Sequence, residues 1–410
     1  MSILASKKNV SPWLLKHPIA MNYDSKIAGH IRDLPRSGIR DFFELVIGRS
    51  DVISLGVGEP DKPTPWVIRE AAIRSIEKGQ TSYTSNLGLE SLRIEIARYV
   101  DDFFHVSYDP KSEILVTVGV SEALDLALRA LINPGDEVIY HEPCYVSYNP
   151  SIQMAFGVPV AVNASPAHDF AVLASDIEKA ITPKTKIIML NFPTNPTGGI
   201  EPVEELEKIA ALAIKHDLIV ITDEIYSELL YDDRVHTSIA SLPGMKDRTI
   251  LLHGFSKAFA MTGWRMGYAC APSPLREAMM KIHQYCMLCA PIMSQVAAIE
   301  ALKQGRAAYE EMRLSYEQRR NTIVRRLNAM GLPCFNPGGA FYVFPDIRST
   351  GLTSKEFALG LLEKKSVAVV PGPPFGAIGE GYVRCCYATA PELIDKAMDL
   401  MEEFVNEVRK

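Results

Sequence analysis

Five short apolar runs in this chain each end beside residues able to do chemistry. Residues 114–118 lead to Gly119, Val120 and Ser121, small residues of the kind that open a helix. Residues 137–140 lead to Pro143, Cys144 and Tyr145, and residues 186–190 lead to Asn191 and Asn195. Residues 218–222 lead to Asp223 and Tyr226, and residues 249–252 lead to His253, Ser256 and Lys257. A lysine amine can attack a carbonyl once burial favours its neutral form. A carboxylate can hold a proton on a ring nitrogen, an aromatic can stack on that ring, and a helix start can bind an anion.

Together these are the groups that pyridoxal 5′-phosphate (PLP) requires. Its phosphate needs a helix N-terminus, its pyridine nitrogen a carboxylate, its aldehyde a lysine and its flat ring an aromatic. Each residue taken singly has an ordinary structural role. Asp223 can cap the following helix and Ser121 can be an N-cap. Asn195-Pro-Thr-Gly198 is a turn sequence. Tyr145 and Tyr226 can simply pack, and Arg384 can be an exposed strand arginine. Gly56-Val-Gly58 is too short for a dinucleotide fingerprint. The expectation rests on joint placement at strand ends.

The elements that bring these tips together follow from the pattern around them. From about residue 52 short apolar runs alternate with amphipathic stretches, which predicts βα units around a parallel sheet. Ligands bind beyond the carboxyl ends of such strands, so the five tips share one edge. Helices are predicted at 122–132 and 202–216, the latter with Pro202 in its first turn and Leu206, Ile209, Ala210 and Ala213 as its stripe. A long charge-rich helical stretch over 293–330 leads to a C-terminal α+β domain. That domain has strand-like runs at 340–344, 367–370 and 382–387 and a closing helix at 391–408. The predicted division is an N-terminal arm with part of the small domain (1–50), a large domain (51–295) and a small domain (296–410). A short helix is expected at 39–47.

The bulk composition fits this organisation. A chain of 410 residues exceeds what one core usually serves. A net charge of −6 argues against general binding to nucleic acid or anionic membranes. The seven cysteines are scattered among apolar neighbours. Cys286 and Cys289 lack a second Cys or His pair, so no metal site is expected. The first ten residues lack a secretory pattern, and no stretch approaches the ~20 apolar residues of a membrane span. The expectation is a cytoplasmic protein.

The segment Ser256-Lys-Ala-Phe-Ala-Met-Thr-Gly-Trp-Arg-Met-Gly267 resembles the PLP-lysine signature of class I/II aminotransferases of PLP fold type I. Asn195-Pro-Thr-Gly198, Asp223-Glu-Ile-Tyr226, Tyr382-Val-Arg-Cys-Cys-Tyr387, Gly56-Val-Gly-Glu-Pro-Asp61 and Tyr83-Thr-Ser-Asn-Leu-Gly88 occur in the expected order. The resemblance runs from about residue 30 to the end. It implies an α/β fold: a large domain with a mostly parallel seven-stranded sheet flanked by helices, plus a smaller α+β domain.

It also implies roles. Lys257 forms the Schiff base and shuttles the proton at the substrate α-carbon. Asp223 pairs with the pyridine nitrogen, Tyr226 and Asn195 bond the ring oxygen, and Tyr145 stacks on the ring. Gly119, Val120, Ser121, Ser256 and Arg265 hold the phosphate. Tyr83 reaches the phosphate of a neighbouring subunit, which implies a homodimer with shared active sites. Arg384 grips the substrate α-carboxylate, helped by Asn195 and the backbone at Gly58.

Departures from the family pattern are Gly254, where many relatives carry Ser to bind phosphate, and His253, for which no role is evident. Tyr145 is acceptable where Trp or Phe is common. The implied activity is transfer of an amino group from an L-amino acid to a 2-oxo acid. The sequences around 231–234, 238–241 and 375–381 favour aromatic or broad donors with 2-oxoglutarate as acceptor. Alternatives are an aspartate or alanine aminotransferase, a PLP-dependent β-lyase and a non-enzymatic PLP-sensing regulator. An aspartate donor needs a second cation, for which Arg36 or Arg40 in the segment 34–43 is a candidate.

Overall fold

The computed structural model describes residues 21–34, 38, 46, 48, 49 and 51–409. The helix expected at 39–47, and Arg36 and Arg40, lie outside the described residues. Backbone packing divides the chain into two units, residues 1–35 and 36–410. Within the first, one helical turn spans Gly29–Arg32 (α1).

The second unit carries a seven-stranded sheet. Its strands are β2 (Ile114–Thr117), β3 (Glu137–Glu142), β4 (Val158–Asn163), β5 (Thr185–Leu190), β6 (Ile219–Asp223), β7 (Thr249–Gly254) and β8 (Gly267–Cys270). The spatial order is β2-β8-β7-β6-β5-β3-β4. All five predicted strands form. The strands run in one direction except β8, which is antiparallel to both its neighbours. Because β8 is reversed, it begins at the edge where the others end. Gly267 thus pairs with both Thr117 and Gly254. The residues of β2, β7 and β8 are buried, which is why β2 and most of β7 read as continuous apolar runs.

Helices cover the sheet. The main ones are α2 (Trp66–Glu77), α3 (Glu90–Phe104), α4 (Val120–Leu131), α5 (Tyr148–Met154), α6 (Ala174–Ala180), α7 (Val203–Lys215) and α8 (Ser273–Cys286). Leu124, Ala127 and Leu128 of α4 pack with Leu115, Ile221, Ile250 and Leu252 of the sheet. Leu206, Ile209, Ala210 and Ala213 of α7 do the same on the side of Ile188 and Val220. Each such buried leucine or isoleucine stabilises by about 1.5–3 kcal/mol relative to exposure, and each alanine by less. Pro202 is the N-cap of α7 and stands one residue before its predicted place in the first turn.

The stretch 293–330 is two helices, not one. α9 (Ile292–Gln304) ends at Gly305, and α10 (Arg306–Ala329) follows it. A Cβ on Gly305 would lie 2.5 Å from the Ala301 carbonyl oxygen and 2.8 Å from the Phe259 ring, so only glycine fits at this break. The C-terminal strands are shorter than expected. They are β9 (Tyr342–Val343), β10 (Val367–Ala368), β11 (Val370–Pro371) and β12 (Val383–Cys386). β11, β12 and β9 form a three-stranded sheet, and β10 pairs with β1 (Ile53–Ser54). Helices α11 (Ser354–Lys365) and α12 (Pro391–Val408) complete this region. Its core includes Phe341, Phe357, Leu361, Met401 and Phe404.

Candidate active site

The strand ends open into a cavity of about 570 Å³. Every residue assigned to the site from the sequence lines it, except Gly119 and Tyr83. Those lining it are Gly58, Val120, Ser121, Tyr145, Asn195, Asp223, Tyr226, Ser256, Lys257, Arg265 and Arg384.

Lys257 follows β7 and is half-buried. Its Nζ donates to the Gly58 carbonyl oxygen at 2.7 Å. Burial pushes the amine down from 10.5 to about 8, with the Arg384 cation acting in the same direction. The fall raises the neutral fraction at pH 7 by roughly 300-fold.

Asp223 ends β6 and is 6% exposed. Burial pushes its carboxyl up to about 6, against the pull of hydrogen bonds from Tyr148 and the Ile225 backbone. It therefore remains largely ionised at neutral pH. Its Oδ2 accepts from the Tyr148 hydroxyl at 2.8 Å, and its backbone oxygen accepts from Asn191 Nδ2 at 2.8 Å.

Arg384 sits in β12 at 3% exposure. Its Nη1 donates to Asn195 Oδ1 at 2.9 Å and its Nη2 to the Gly56 carbonyl oxygen at 2.6 Å. Gly56 is thus its backbone partner. The guanidinium lies 4.7 Å from the Tyr342 ring centroid and 4.9 Å from that of Phe375. Its Nε is buried with no protein partner among the described residues.

At the other end, Gly119 caps α4 with φ 78°. A Cβ there would stand 2.5 Å from Arg265 Nη2. The bare backbone, the α4 N-terminus and the Arg265 guanidinium thus form a cradle for an anion. Arg265 reaches it because it precedes the reversed strand β8. The side chain missing at Gly254 has no room: a Cβ would lie 2.9 Å from the Met266 carbonyl oxygen and 3.0 Å from Val120.

These features fit PLP. An ionised carboxylate, a lysine of lowered basicity and an anion cradle lie around one cavity, and the buried Arg384 Nε is an unused donor. The described residues hold no group of His, Cys, Asp and Glu suited to a metal ion.

The lining residues not assigned from the sequence include Tyr148 and Tyr342. Tyr148 opens α5, three residues after Tyr145 in the loop that precedes the helix. Tyr342 lies inside an apolar run and reads as core, which hides it. Its hydroxyl is 2.8 Å from that of Tyr226. His253 is accounted for by packing: its Nε2 lies 3.0 Å from Glu228 Oε1 and 3.1 Å from the Ser227 hydroxyl. Tyr83 is 83% exposed. Of the seven free cysteines, Cys144, Cys270, Cys334, Cys385 and Cys386 are buried, while Cys286 is exposed. No helix among the described residues is long and apolar enough to cross a membrane.

The family model described as "Aminotransferase class I and II" matches residues 50–400. The Bacillus subtilis (strain 168) protein YugH is 54% identical over 93% of this chain and 99% of its own length. An aspartate aminotransferase of Pyrococcus abyssi is 47% identical over 90% of this chain and 96% of its own. The solved aromatic aminotransferase of Pyrococcus horikoshii OT3 superposes with a TM-score of 0.86 at 47% identity, covering 90% of this chain and 99% of that one.

Proposed function

Because this chain belongs to the class I and II aminotransferases, a family of PLP-dependent enzymes of fold type I, we propose how its own residues carry out transamination and on which substrates. The enzyme moves an amino group between an amino acid and a 2-oxo acid. Bound PLP supplies the aldehyde that takes the amino group and a ring that stabilises negative charge at the substrate α-carbon.

In this reading Lys257 anchors the cofactor and then carries the proton to and from the α-carbon through Nζ. Asp223 holds the proton on the ring nitrogen. Tyr226 and Asn195 bond the ring oxygen, and Tyr145 covers the ring face. Gly119, Val120, Ser121, Ser256 and Arg265 bind the phosphate. Arg384, helped by Asn195 and the backbone at Gly58, binds the substrate α-carboxylate. The observation that carries the reading is the convergence of Lys257, Asp223 and Arg384 on one cavity.

The donor is an aromatic amino acid or one of a broad set, and the acceptor is 2-oxoglutarate. Tyr145, Tyr342, Val120, Leu124 and Ile225 give the cavity aromatic and aliphatic walls, which support this. Among the described residues the cations lining it are Lys257, Arg265 and Arg384, each with a role already proposed. The enzyme works as a homodimer in which the exposed Tyr83 completes the partner's phosphate site. The chain divides near residues 50 and 295 into arm, large domain and small domain. A cytoplasmic location belongs to the same proposal, supported by its free buried cysteines.

A half-reaction screen tests the substrate reading. Each amino acid is mixed with the PLP-loaded enzyme, and loss of the cofactor's visible absorbance is followed. Aromatic donors are expected to bleach it fastest. A response confined to aspartate overturns the donor assignment, and release of pyruvate and ammonia without a 2-oxo acid overturns transamination as the main reaction.

A further inference from the structure

We propose that Tyr148 is a positioning residue of this reaction, its hydroxyl aiming the Asp223 carboxylate at the ring nitrogen of the cofactor. The proposal rests on the site reading above. Tyr148 begins α5, directly after the tip of β3, and is 1% exposed. It comes from 75 positions away in the chain, and its hydroxyl donates to Asp223 Oδ2 at 2.8 Å. The Ile225 N–H reaches the other oxygen at a longer 3.3 Å. Asn191 fixes the backbone of Asp223, so Tyr148 makes the shorter of the two bonds that orient the carboxylate itself.

The same ring meets Tyr145 edge-on, with centroids 5.7 Å apart and an 84° angle between planes. One buried side chain therefore steadies both the group proposed under the ring nitrogen and the group proposed over the ring face. A hydrogen bond to a charged acceptor is among the stronger ones a protein makes. Burial pushes the Tyr148 hydroxyl well above its ordinary range, so it remains a donor wherever Asp223 titrates.

The consequence is electrostatic. Positive charge on the ring nitrogen lowers the basicity of the nearby Lys257 nitrogen. If the hydroxyl is removed, Asp223 is less ionised and holds the ring proton less firmly, and the Lys257 nitrogen becomes more basic. Asp223 is faced by Tyr148, His253 and Glu224, and Lys257 by Cys386, Arg384, Glu59 and Asp223. Of all these, the test alters only Tyr148.

The test uses holoenzyme. The pH titration of its visible absorbance is compared between wild type and Tyr148→Phe, each loaded with PLP or with the carbocyclic analogue in which the ring nitrogen is CH. With PLP the midpoint is expected to rise by about half a pH unit or more. kcat should fall about tenfold, with KM for the amino acid within about twofold. With the analogue the two proteins should titrate alike. A fluorotyrosine at position 148, a stronger donor that keeps the ring, should lower the midpoint. An unchanged midpoint with PLP, or an equal shift with the analogue, overturns the proposal. So does a fluorotyrosine shift in the wrong direction. Borohydride reduction of every sample separates the two levels: a label away from Lys257 refutes the site reading, whereas a label on Lys257 without the shift refutes only the role of Tyr148.

Discussion

The hydroxyls of Tyr226 and Tyr342 lie 2.8 Å apart, joining the end of β6 to β9 across 116 positions of sequence. Tyr342 also stacks on Arg384, at 4.7 Å. One ring thus touches a group proposed to bind the cofactor and the group proposed to bind the substrate carboxylate. Tyr342→Phe deletes the hydroxyl contact and keeps the stack. The expected result is a loss in kcat/KM of about fivefold, the worth of one neutral hydrogen bond. Steady-state kinetics checks it, and a loss beyond a hundredfold would mean that the hydroxyl does chemistry of its own.

Arg384 is held by Asn195 and the Gly56 carbonyl, with its Nε unused. Its proposed ligand is the α-carboxylate, which all amino acids share. Arg384→Leu should therefore raise KM by about 10- to 100-fold for every donor alike. Arg384→Lys should recover little, because a point charge cannot form the two-pronged bond. A loss confined to one side-chain class would assign Arg384 to the side chain instead.

Gly119 combines a φ of 78° with a Cβ position already crowded by Arg265. Gly119→Ala thus strains the backbone and displaces the guanidinium together. The expected outcome is cofactor binding weakened about tenfold or more, with a smaller loss of thermal stability. Equilibrium dialysis against PLP checks it. Retention of wild-type affinity would remove Gly119 and Arg265 from the phosphate site.

Much of this arrangement was legible in the sequence because it is local. A buried parallel strand is a short apolar run, and its tip follows directly, so Asn195, Asp223 and Lys257 could be placed without coordinates. What stayed hidden depends on partners distant in the chain. Strand β8 is four residues long, and only its pairing with β2 and β7 makes it a strand. The helix break at Gly305 is invisible because one glycine in a helical pattern costs only about 1 kcal/mol. What excludes a side chain there is the Ala301 carbonyl oxygen together with the ring of Phe259, 46 positions away. Tyr148 and Tyr342 have the same residue type as any core tyrosine, and only their hydroxyl partners distinguish them.

The last prediction concerns a carboxyl away from the cavity. Glu201 is 8% exposed; its Oε2 accepts from the Val172 N–H at 3.0 Å, and its Oε1 has no protein partner among the described residues. Burial pushes it up from 4.5 to about 8. Between those values the folded chain holds a proton that the unfolded chain has released, so this group makes stability fall as pH rises. Lys257 has the opposite sign in a different window. Its folded value of about 8 lies below 10.5, so between them the unfolded chain holds the extra proton and stability rises with pH. Glu201→Gln removes the first contribution; the second belongs to the free amine and is absent once PLP is bound to Lys257. Thermal unfolding of the PLP-loaded protein should show the variant matching wild type near pH 4.5 and gaining steadily toward pH 8, by about 2–4 kcal/mol at the upper end. A stability difference that does not change with pH would mean that Glu201 is ionised in the folded chain, with its charge met by a group outside the described residues.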